Sequence, residues 1–374
     1  MAIEDLWYGR SAGAAAARLA LAPASALYGA AVSARAGLYS AGLFATARAG
    51  RPVVSVGSLR VGGAGKTPLV LWLASNLASR GLRCCIVTRG YGSAGQGKTF
   101  RLLEGEPWRE AARARDAAFA REVDACGDEA MLLALRAPCP VAVGRDRSGA
   151  CRFALRELAG RGLDADVFLL DDGFQHLALA RDLDVVLVAG TEADEALLPA
   201  GPLREPPSAL ARASAVVVDE GEAGRGTDLL RRVAATATVL RASTRPAGLV
   251  SCVADDAGQG ARALEGKHVA AVAAIARPER FLGALEAAGA RVVRRVLRRD
   301  HHRYDAGDRR EIESAARGAD LVVTTEKDLV KLAVPRLDAP LLALRVALEV
   351  RGGEALLERV AALVSRRPHP GAGV

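Results

Sequence analysis

The sequence predicts an α/β fold in which a mostly parallel sheet carries helices on both faces, with a smaller α/β lobe towards the C-terminus. Short apolar runs alternate with helical patterns, as is typical of parallel sheets covered by helices. The alternation weakens where Gly, Asp, Thr and Ser become frequent, and then resumes. We therefore expect a helical leader at 1–46, a main lobe at 47–225, an irregular or hairpin connector at 226–265 and a C-terminal lobe at 266–374.

Each predicted strand is a short apolar run, and the predicted helices lie between these runs. The predicted strands of the main lobe are Val53–Val56, Cys84–Thr88, Val141–Val143, Val167–Leu170, Val185–Val188 and Ala215–Val218. Its predicted helices include Thr67–Ser79, Asp128–Arg136 and Ser148–Arg161. In the C-terminal lobe the predicted order is strand Val269–Ile275, helix Pro278–Ala288, strand Val292–Leu297, strand Leu321–Thr324 and a helix near Glu354–Val364.

The leader combines helical spacing with low charge. Residues 19–34 form an uncharged, alanine-rich stretch of 16 residues, which is short for a membrane span. Glu4 and Asp5 lie near Arg10 in the segment before it, which is the wrong charge for a secretory signal. We expect a helix that either packs on its own domain or lies in a membrane interface, with Trp7 and Tyr8 at its edge.

Composition narrows the class of protein. The chain has 374 residues, enough for one large or two ordinary domains. Its net charge of +8 suits anionic ligands, an anionic membrane surface or nucleic acid. Aromatic residues make up only 4% of the chain and are not interleaved with a basic stripe, which argues against nucleic-acid binding. The six cysteines form no C-x-x-C pair and are expected to be free thiols.

A glycine-rich loop joins the first predicted strand of the main lobe to its first predicted helix. In such a strand–loop–helix context, backbone N–H groups and the helix N-terminus face an anion, and glycines let the backbone approach it. The strict pattern G-x-x-x-x-G-K-[ST] fails at its first position, but the core GGAGKT leaves no side chain over the phosphates. The loop predicts a P-loop NTPase-like fold that binds a nucleoside triphosphate. Its predicted nucleotide-binding residues are Arg60, Val61, Gly62, Gly63, Ala64, Gly65, Lys66 and Thr67.

Candidate ligands for a magnesium ion lie on the same loop and at the end of a later strand. Lys66 is expected to reach the β- and γ-phosphates, and the Thr67 hydroxyl to bind Mg²⁺. The segment DVFLLDDGFQH places Asp171 and Asp172 at the end of an apolar strand. A carboxylate at the C-terminal end of a neighbouring strand is where a magnesium ligand belongs. Either aspartate is a candidate for the direct ligand.

A second set of residues suggests a general base. Only five histidines occur, and His301 and His302 stand next to each other beside Asp300. Asp128 begins the helix predicted at GDEAML, where it is either a simple N-cap or the partner of His301. Such a pair would be a general base oriented and tuned by an imidazole. A structural or surface role for the two histidines is the alternative.

Two further segments have roles that the residues leave open. The proline-rich LLPAGPLREP holds Arg204 and Glu205 and is otherwise an ordinary surface loop. In TTEKDLVKL a threonine is expected to cap a helix. Lys327 and Asp328 either follow that cap or flank a nucleotide base or ribose.

In order along the chain, these segments resemble one enzyme family. VSVGSLRVGGAGKTPL, TRGYG, GDEAML, VGRDR, DDGFQH, LLPAGPLREP, DHHRY and TEKDLVKL occur in the order found in tetraacyldisaccharide 4′-kinase, an enzyme of the lipid A pathway of Gram-negative bacteria. The resemblance spans roughly residues 51–332. The family's loop resembles V-G-G-x-G-K-T, so the arginine at position 60 fits it.

The resemblance implies a kinase that moves the γ-phosphoryl of ATP, with Mg²⁺, to the 4′-hydroxyl of a tetraacylated glucosamine disaccharide 1-phosphate. It implies a peripheral enzyme on anionic membrane, at the cytoplasmic face of the inner membrane, and no obligate protein partner is evident. The implied catalytic residues are Asp128 as base, His301 as its partner, Asp300 and Lys66. The implied magnesium ligands are Thr67, Asp171, Asp172 and Gln175, with Arg204 and Glu205 near the nucleotide.

Two other classes of protein stay open on the residues alone. The first is a regulatory or partitioning P-loop ATPase without a lipid substrate. Such proteins often place a lysine just before the double glycine, where this chain has Val61. The second is a nucleotide-dependent scaffold, which has no need of the Asp128–His301 pair.

Overall fold

A computed structural model describes residues 3–62, 65–93, 99–114, 116–222, 230, 232, 234, 236–253, 259–332 and 337–366. Two compact units divide the chain, and both are discontinuous in sequence. The first unit comprises residues 1–66, 166–243 and 350–374, and the second comprises 67–165 and 244–349.

The first unit is built on five parallel strands. They are β1 (Val53–Ser58), β5 (Val167–Asp171), β6 (Leu183–Val188), β7 (Ala215–Asp219) and the first part of β8 (Thr238–Val250). The strand order is β5-β1-β6-β7-β8. All residues of β1, β5, β6 and β7 are buried, which explains why the sequence shows them as continuous apolar runs. The helices are α1 (Ile3–Tyr8), α2 (Ala12–Ser40) and α11 (Gly353–Ser365), with 3₁₀ helices at Pro207–Arg212 and Glu220–Glu222.

The second unit contains two groups of strands. In one, β2 (Cys84–Thr88) runs parallel to β4 (Val141–Val143), and β3 (Arg101–Leu103) pairs with β4 antiparallel. In the other, β9 (His268–Ala273), β10 (Arg291–Leu297), β11 (Leu321–Thr325) and β12 (Leu341–Arg351) are parallel in the order β10-β9-β11-β12. The helices are α3 (Lys66–Ala78), α4 (Gly105–Ala114), α5 (Ala117–Cys126), α6 (Asp128–Arg136), α7 (Arg147–Ala159), α8 (Pro278–Ala287), α9 (Ala306–Ala316) and α10 (Glu326–Leu329), with a 3₁₀ helix at Ala261–Leu264.

The predicted α/β fold with a mostly parallel sheet is confirmed, and the buried strands fall where the apolar runs predicted them. The connector expected at 226–265 is different, because it contains the whole of the 13-residue strand β8. Buried and exposed residues interrupt one another along β8, so the sequence shows no continuous apolar run there. Helices α4 and α5 were also missed, and α4 buries none of its side chains.

Helix α2 is longer than the uncharged stretch that predicted it. It spans 29 residues and continues through Arg18 and Arg35 on either side of that stretch. By length and composition it is the one helix, within the residues the structure describes, that is long and apolar enough to cross a membrane. The sequence-based exclusion of a membrane span on length therefore does not hold.

One side of α2 packs on its own unit while the other is open to solvent. The Ser25 hydroxyl donates to the carbonyl of Leu197 at 3.0 Å, and the Tyr28 hydroxyl donates to the carbonyl of Arg204 at 3.0 Å. In contrast, Leu19 and Leu27 are 77% and 74% exposed. The helix thus has a docked face and an unpartnered apolar face.

Candidate functional site

The glycine-rich loop follows buried strand β1 and leads into helix α3. Gly62 and Gly65 have φ angles of 89° and 78°, in the left-handed region that glycine adopts without strain. A Cβ on Gly65 would also lie 3.3 Å from a methyl group of Leu187. The predicted residues Gly63 and Ala64 lie outside the described residues. The loop has the backbone turns and the following helix N-terminus that an anion cradle needs.

The residue that breaks the strict loop pattern, Arg60, has a buried side chain. Its guanidinium donates to the Tyr8 hydroxyl at 2.8 Å and to the Thr191 hydroxyl at 2.9 Å, and it pairs with Glu195 at 3.0 Å. The backbone N–H of Val61 donates to the carbonyl of Pro202 at 2.9 Å. Arg60 therefore anchors the loop through its side chain, rather than offering its guanidinium to a nucleotide.

A charged cluster centred on Asp172 lies beside the loop lysine. The Lys66 ammonium is 3.1 Å from Asp172 Oδ1, and Arg204 Nη1 donates to both carboxylate oxygens at 2.9 and 2.8 Å. Burial by itself raises the pKa of Asp172, but the Lys66 and Arg204 cations outweigh it and lower the pKa to about 2. Asp172 is therefore ionised at every physiological pH.

Backbone geometry and an amide side chain fix this cluster. Asp172 has a φ of 50°, a left-handed conformation that aspartate adopts more readily than most residues. Gln175 donates from Nε2 to the carbonyl of Ser58 at 3.1 Å and accepts from Arg204 at 3.3 Å. Asp171, the last residue of β5, is only 3% exposed, whereas the Asp172 side chain is 34% exposed. Of the predicted magnesium ligands, Asp172 and Gln175 thus lie together near Lys66.

The two predicted residues of the proline-rich loop have different surroundings. Arg204 binds Asp172, as described above. Glu205 is buried and accepts from Arg212 at 2.8 Å, and the Arg212 guanidinium lies 4.6 Å from the centre of the Phe174 ring. Glu205 therefore pairs with Arg212 beside the Phe174 ring, and of the two predicted residues only Arg204 contacts the predicted magnesium ligands.

The second unit brings together Asp128 and His301, which are far apart in sequence. His301 Nδ1 lies 3.1 Å from Asp128 Oδ1, and Lys331 donates to Asp128 Oδ2 at 3.1 Å. Gly127 occupies the N-cap position of α6, so the interpretation of Asp128 as a simple N-cap is wrong. Gly127 has a φ of 93°, and a Cβ there would lie 2.3 Å from the carbonyl oxygen of Tyr91.

The pKa values of Asp128 and His301 are shifted in opposite directions. Burial raises the pKa of Asp128, but the His301 hydrogen bond and the nearby lysines Lys327 and Lys331 outweigh it and hold the pKa well below its ordinary value. Burial lowers the pKa of His301, yet the hydrogen bond to Asp128 leaves that pKa raised. The carboxylate is ionised at neutral pH and is therefore able to accept a proton.

The two adjacent histidines have separate surroundings. His301 has a left-handed φ of 58°, and its backbone N–H donates to Asp300 Oδ1 at 3.0 Å. The centre of its ring lies 4.9 Å from that of Tyr91. His302 Nε2 instead lies 2.6 Å from Asp308 Oδ2, close to the N-cap of α9. His301 belongs to the Asp128 pair, whereas His302 has the structural role that was left open.

Lys327 is a member of this cluster that the residues alone did not assign. Its ammonium lies 2.9 Å from Asp300 Oδ1, 3.1 Å from Glu129 Oε1 and 3.1 Å from His301 Nε2. Thr325 caps α10 as expected, accepting from the N–H of Asp328 at 3.1 Å. The four-residue spacing of the lysines in TTEKDLVKL, which puts Lys327 and Lys331 on one side of a helical turn, was the available signal.

The two clusters and the fold define a class of protein. A glycine loop ending in a lysine at a helix N-terminus, beside a permanently ionised carboxylate, suits the phosphates of a nucleotide. A second carboxylate hydrogen-bonded to an imidazole suits removal of a proton from an acceptor. An α/β protein with both features is a nucleotide-dependent phosphotransferase.

Comparison with known proteins gives the family. The family model for tetraacyldisaccharide-1-P 4′-kinase (LpxK) matches residues 17–365. The chain therefore belongs to the tetraacyldisaccharide-1-P 4′-kinase family. The predicted kinase function is confirmed by this membership, and the alternative of a partitioning ATPase is not favoured.

Relatives and a solved structure agree with this placement. The tetraacyldisaccharide 4′-kinase of Anaeromyxobacter dehalogenans strain 2CP-C is 44% identical over 88% of this chain and 86% of its own length. That of Aeromonas hydrophila is 37% identical over 88% and 86%. A crystal structure of LpxK from Aquifex aeolicus in complex with ATP superposes with a TM-score of 0.71 at 27% identity, covering 93% of this chain and 99% of that one.

Proposed function

We propose that this chain uses ATP and Mg²⁺ to phosphorylate the 4′-hydroxyl of a tetraacylated glucosamine disaccharide 1-phosphate, with Asp128 as the base. The observation that carries the proposal is the 3.1 Å contact between His301 and the ionised carboxylate of Asp128. Binding a nucleotide requires only the loop and its cation. An alcohol acceptor additionally requires a group that takes its proton, and the Asp128–His301 pair supplies one.

The phosphate-binding role belongs to the loop and to Lys66. Phosphoryl transfer has a loose transition state whose charge spreads over the phosphoryl oxygens, so catalysis rests on positioning and charge neutralisation. Lys66 stands at the N-terminus of α3, where its ammonium and the helix dipole act on the same anion. Arg204, held by both oxygens of Asp172, adds a second cation beside it.

The residues near Lys66 fit a magnesium ion. Mg²⁺ in kinases is bound by one or two carboxylates together with phosphate oxygens and water, rather than by an all-protein cage. The described residues contain no group of three or more His, Cys, Asp or Glu side chains suited to a metal. Asp172, ionised and partly exposed, would hold the ion together with Gln175, the Thr67 hydroxyl and Asp171. The ion would neutralise the charge that develops on the transferred group.

The Asp128 pair accounts for the acceptor side of the reaction. In a loose transition state the acceptor hydroxyl loses its proton late, so a weakly basic carboxylate suffices. Asp128 has that character, because His301 and Lys331 stabilise its ionised form. His301 also orients the carboxylate through Nδ1, as the histidine of a catalytic pair does.

The unpartnered face of α2 fits a peripheral contact with anionic membrane at the cytoplasmic face of the inner membrane. Leu19 and Leu27 are exposed on a helix whose other side is docked through Ser25 and Tyr28. An amphiphilic substrate lies in a bilayer, and an apolar helix face reaches that bilayer without unfolding the unit that carries it. We expect Leu19→Ser with Leu27→Ser to reduce flotation with anionic liposomes, and Leu163→Ser, on an exposed loop, to leave it unchanged.

One assay tests the proposed activity. Purified protein is incubated with γ-labelled ATP, Mg²⁺ and lipid disaccharide 1-phosphate extracted from bacteria, and the lipid fraction is separated and counted. We expect label in the lipid that depends on Asp128 and Lys66. Steady hydrolysis of ATP without labelled lipid would refute the kinase proposal and favour a switch ATPase.

A further inference from the structure

We propose that Lys327 is a positioning residue that fixes the His301 imidazole as its neutral Nδ1–H tautomer and so directs that proton to Asp128. The inference rests on the proposed role of the Asp128–His301 pair. It adds a residue, a protonation state and a direction for the hydrogen bond, which the geometry of the pair alone leaves open.

Donor and acceptor chemistry sets the tautomer. A lysine ammonium has three donors and no acceptor, so any nitrogen within hydrogen-bond distance of it must carry a lone pair. Lys327 Nζ lies 3.1 Å from His301 Nε2. Nε2 is therefore an acceptor, and the single ring proton of the neutral imidazole lies on Nδ1. Nδ1 is 3.1 Å from Asp128 Oδ1 and donates to it.

The ammonium is matched to its surroundings. Its three donors meet three acceptors, Asp300 Oδ1 at 2.9 Å, Glu129 Oε1 at 3.1 Å and His301 Nε2 at 3.1 Å. The same carboxylates lie 3.8 and 3.9 Å from Nε2, beyond hydrogen-bond distance. A proton on Nε2 would consequently face the ammonium and, among the residues that the structure describes, would find no acceptor at bonding distance.

Lys327 itself stays charged in this site. Its side chain is 14% exposed, and burial alone lowers its pKa. The carboxylates of Glu129, Asp128 and Asp300 outweigh burial and leave the pKa raised above its ordinary value. The lysine is therefore a donor throughout the working pH range.

The protonation state of His301 affects the basicity of Asp128. A protonated His301 would place a full positive charge beside the carboxylate and weaken it as a base. The Lys327 ammonium disfavours protonation of the neutral ring, whereas the hydrogen bond to Asp128 and the charge of Glu129 favour it. The groups that face the imidazole are Asp128 and Glu129 of α6, Asp300 of its own loop, Lys327 of α10 and the ring of Tyr91, with Lys331 behind Asp128.

The direct test is the protonation of the His301 ring. Full-length protein labelled with ¹⁵N-histidine is measured by long-range ¹H–¹⁵N correlation between pH 6 and 10, and loss of a spin system in His301→Asn assigns the residue. We expect the neutral ring of wild type to carry its proton on Nδ1. In Lys327→Met we expect the ring to stay protonated to higher pH and the tautomer to become mixed. Lys267→Met, at an exposed lysine of the same unit, is the matched control.

Kinetics give the functional half of the test. We expect kcat of Lys327→Met to fall about 10- to 100-fold, as for other partners that orient a catalytic group, with an unchanged KM for ATP. The acid limb of its pH–rate profile should move to higher pH, and Lys327→Arg should restore part of the rate. A merely structural lysine would lower the amount of folded protein without moving the acid limb.

Two results would overturn the proposal. One is a neutral wild-type His301 with its proton on Nε2, which needs no variant to fold. The other is a Lys327→Met protein with wild-type ring protonation and pH–rate profile. The spectroscopic result does not depend on phosphoryl transfer, so failure of the kinase assay is distinguishable from failure of this proposal.

Discussion

The Asp172 cluster and the Asp128 cluster are built on the same plan and differ in one chemical respect. Each centres on an aspartate beside a lysine, and each contains one of the two non-glycine residues with positive φ in the part of the chain that the structure describes, Asp172 and His301. Strained backbone of this kind persists where the surroundings impose it, and it is concentrated at functional sites.

The difference is in the partners. Asp172 is held by Lys66 and Arg204, neither of which is an imidazole, and its side chain is a third exposed. Asp128 is buried and is held by His301, whose pKa burial lowers but the hydrogen bond to Asp128 leaves raised above its ordinary value. The first cluster is suited to presenting a constant negative charge to a metal and a constant positive charge to phosphate. The second is suited to exchanging a proton.

The largest expected effect is on kcat, when the lysine of the Asp172 cluster is removed. Lys66→Ala should lower kcat on the order of a hundredfold or more, because it removes a cation that stabilises transition-state charge. Measured kcat with labelled ATP and lipid acceptor checks this, with Lys267→Ala as the control at an exposed lysine. A Lys66→Ala enzyme of near-normal rate would show that the loop is not a phosphate cradle.

The second effect separates the two clusters. Asp128→Asn should lower kcat about a hundredfold, the lower end of the range for a general base, and leave the affinity for ATP nearly unchanged. Asp172→Asn should instead weaken the Mg²⁺-dependent binding of ATP. Isothermal titration with a non-hydrolysable ATP analogue, with and without Mg²⁺, distinguishes them. If Asp128→Asn loses nucleotide affinity to the same degree as Asp172→Asn, the division of roles is wrong.

A smaller effect concerns stability, and its sign follows from the raised pKa of His301. The folded state holds the imidazole proton more tightly than the unfolded state, whose pKa is about 6.5. The resulting stabilisation is fully present below that value and is lost as pH rises through the folded pKa. His301→Asn keeps a donor and tolerates the left-handed backbone.

We therefore expect the difference in denaturation midpoint between wild type and His301→Asn to shift against wild type between pH 6 and pH 9. His268→Asn, at an exposed histidine on β9, is the control. A difference that is constant across this range would mean that His301 has the same pKa in the folded and unfolded states.

Predictability from sequence also differs between the clusters. The loop and DDGFQH each follow a buried strand, and these strands, β1 and β5, are parallel neighbours, so Lys66, Asp172 and Gln175 lie together as expected. The residues alone offered Asp128 and His301 only as one of two alternatives, and the family resemblance implied the pair; the structure brings them within 3.1 Å. Lys327 was left open because its three partners come from Glu129, Asp300 and His301, on two separate segments.

The fold shows the same limit. Strands buried on both faces were predicted within two residues of their ends, because burial forces a continuous apolar run. Strand β8 was hidden within the predicted connector, because its exposed residues interrupt such a run. Arg60 was assigned to the nucleotide from its place in the loop, and only the structure shows that its guanidinium contacts Tyr8, Thr191 and Glu195.

The smallest expected effect tests how Arg60 anchors the phosphate loop. Tyr8→Phe removes one acceptor of Arg60, and the loss of a single hydrogen bond of this kind costs about 1 kcal/mol of the free energy of unfolding. Because Thr191 and Glu195 still hold the guanidinium, kcat and the affinity for ATP should stay within about twofold of wild type. Urea denaturation and steady-state kinetics on the same preparation measure both. A large loss of nucleotide affinity would instead mean that α1, through Tyr8 and Arg60, controls the phosphate loop directly.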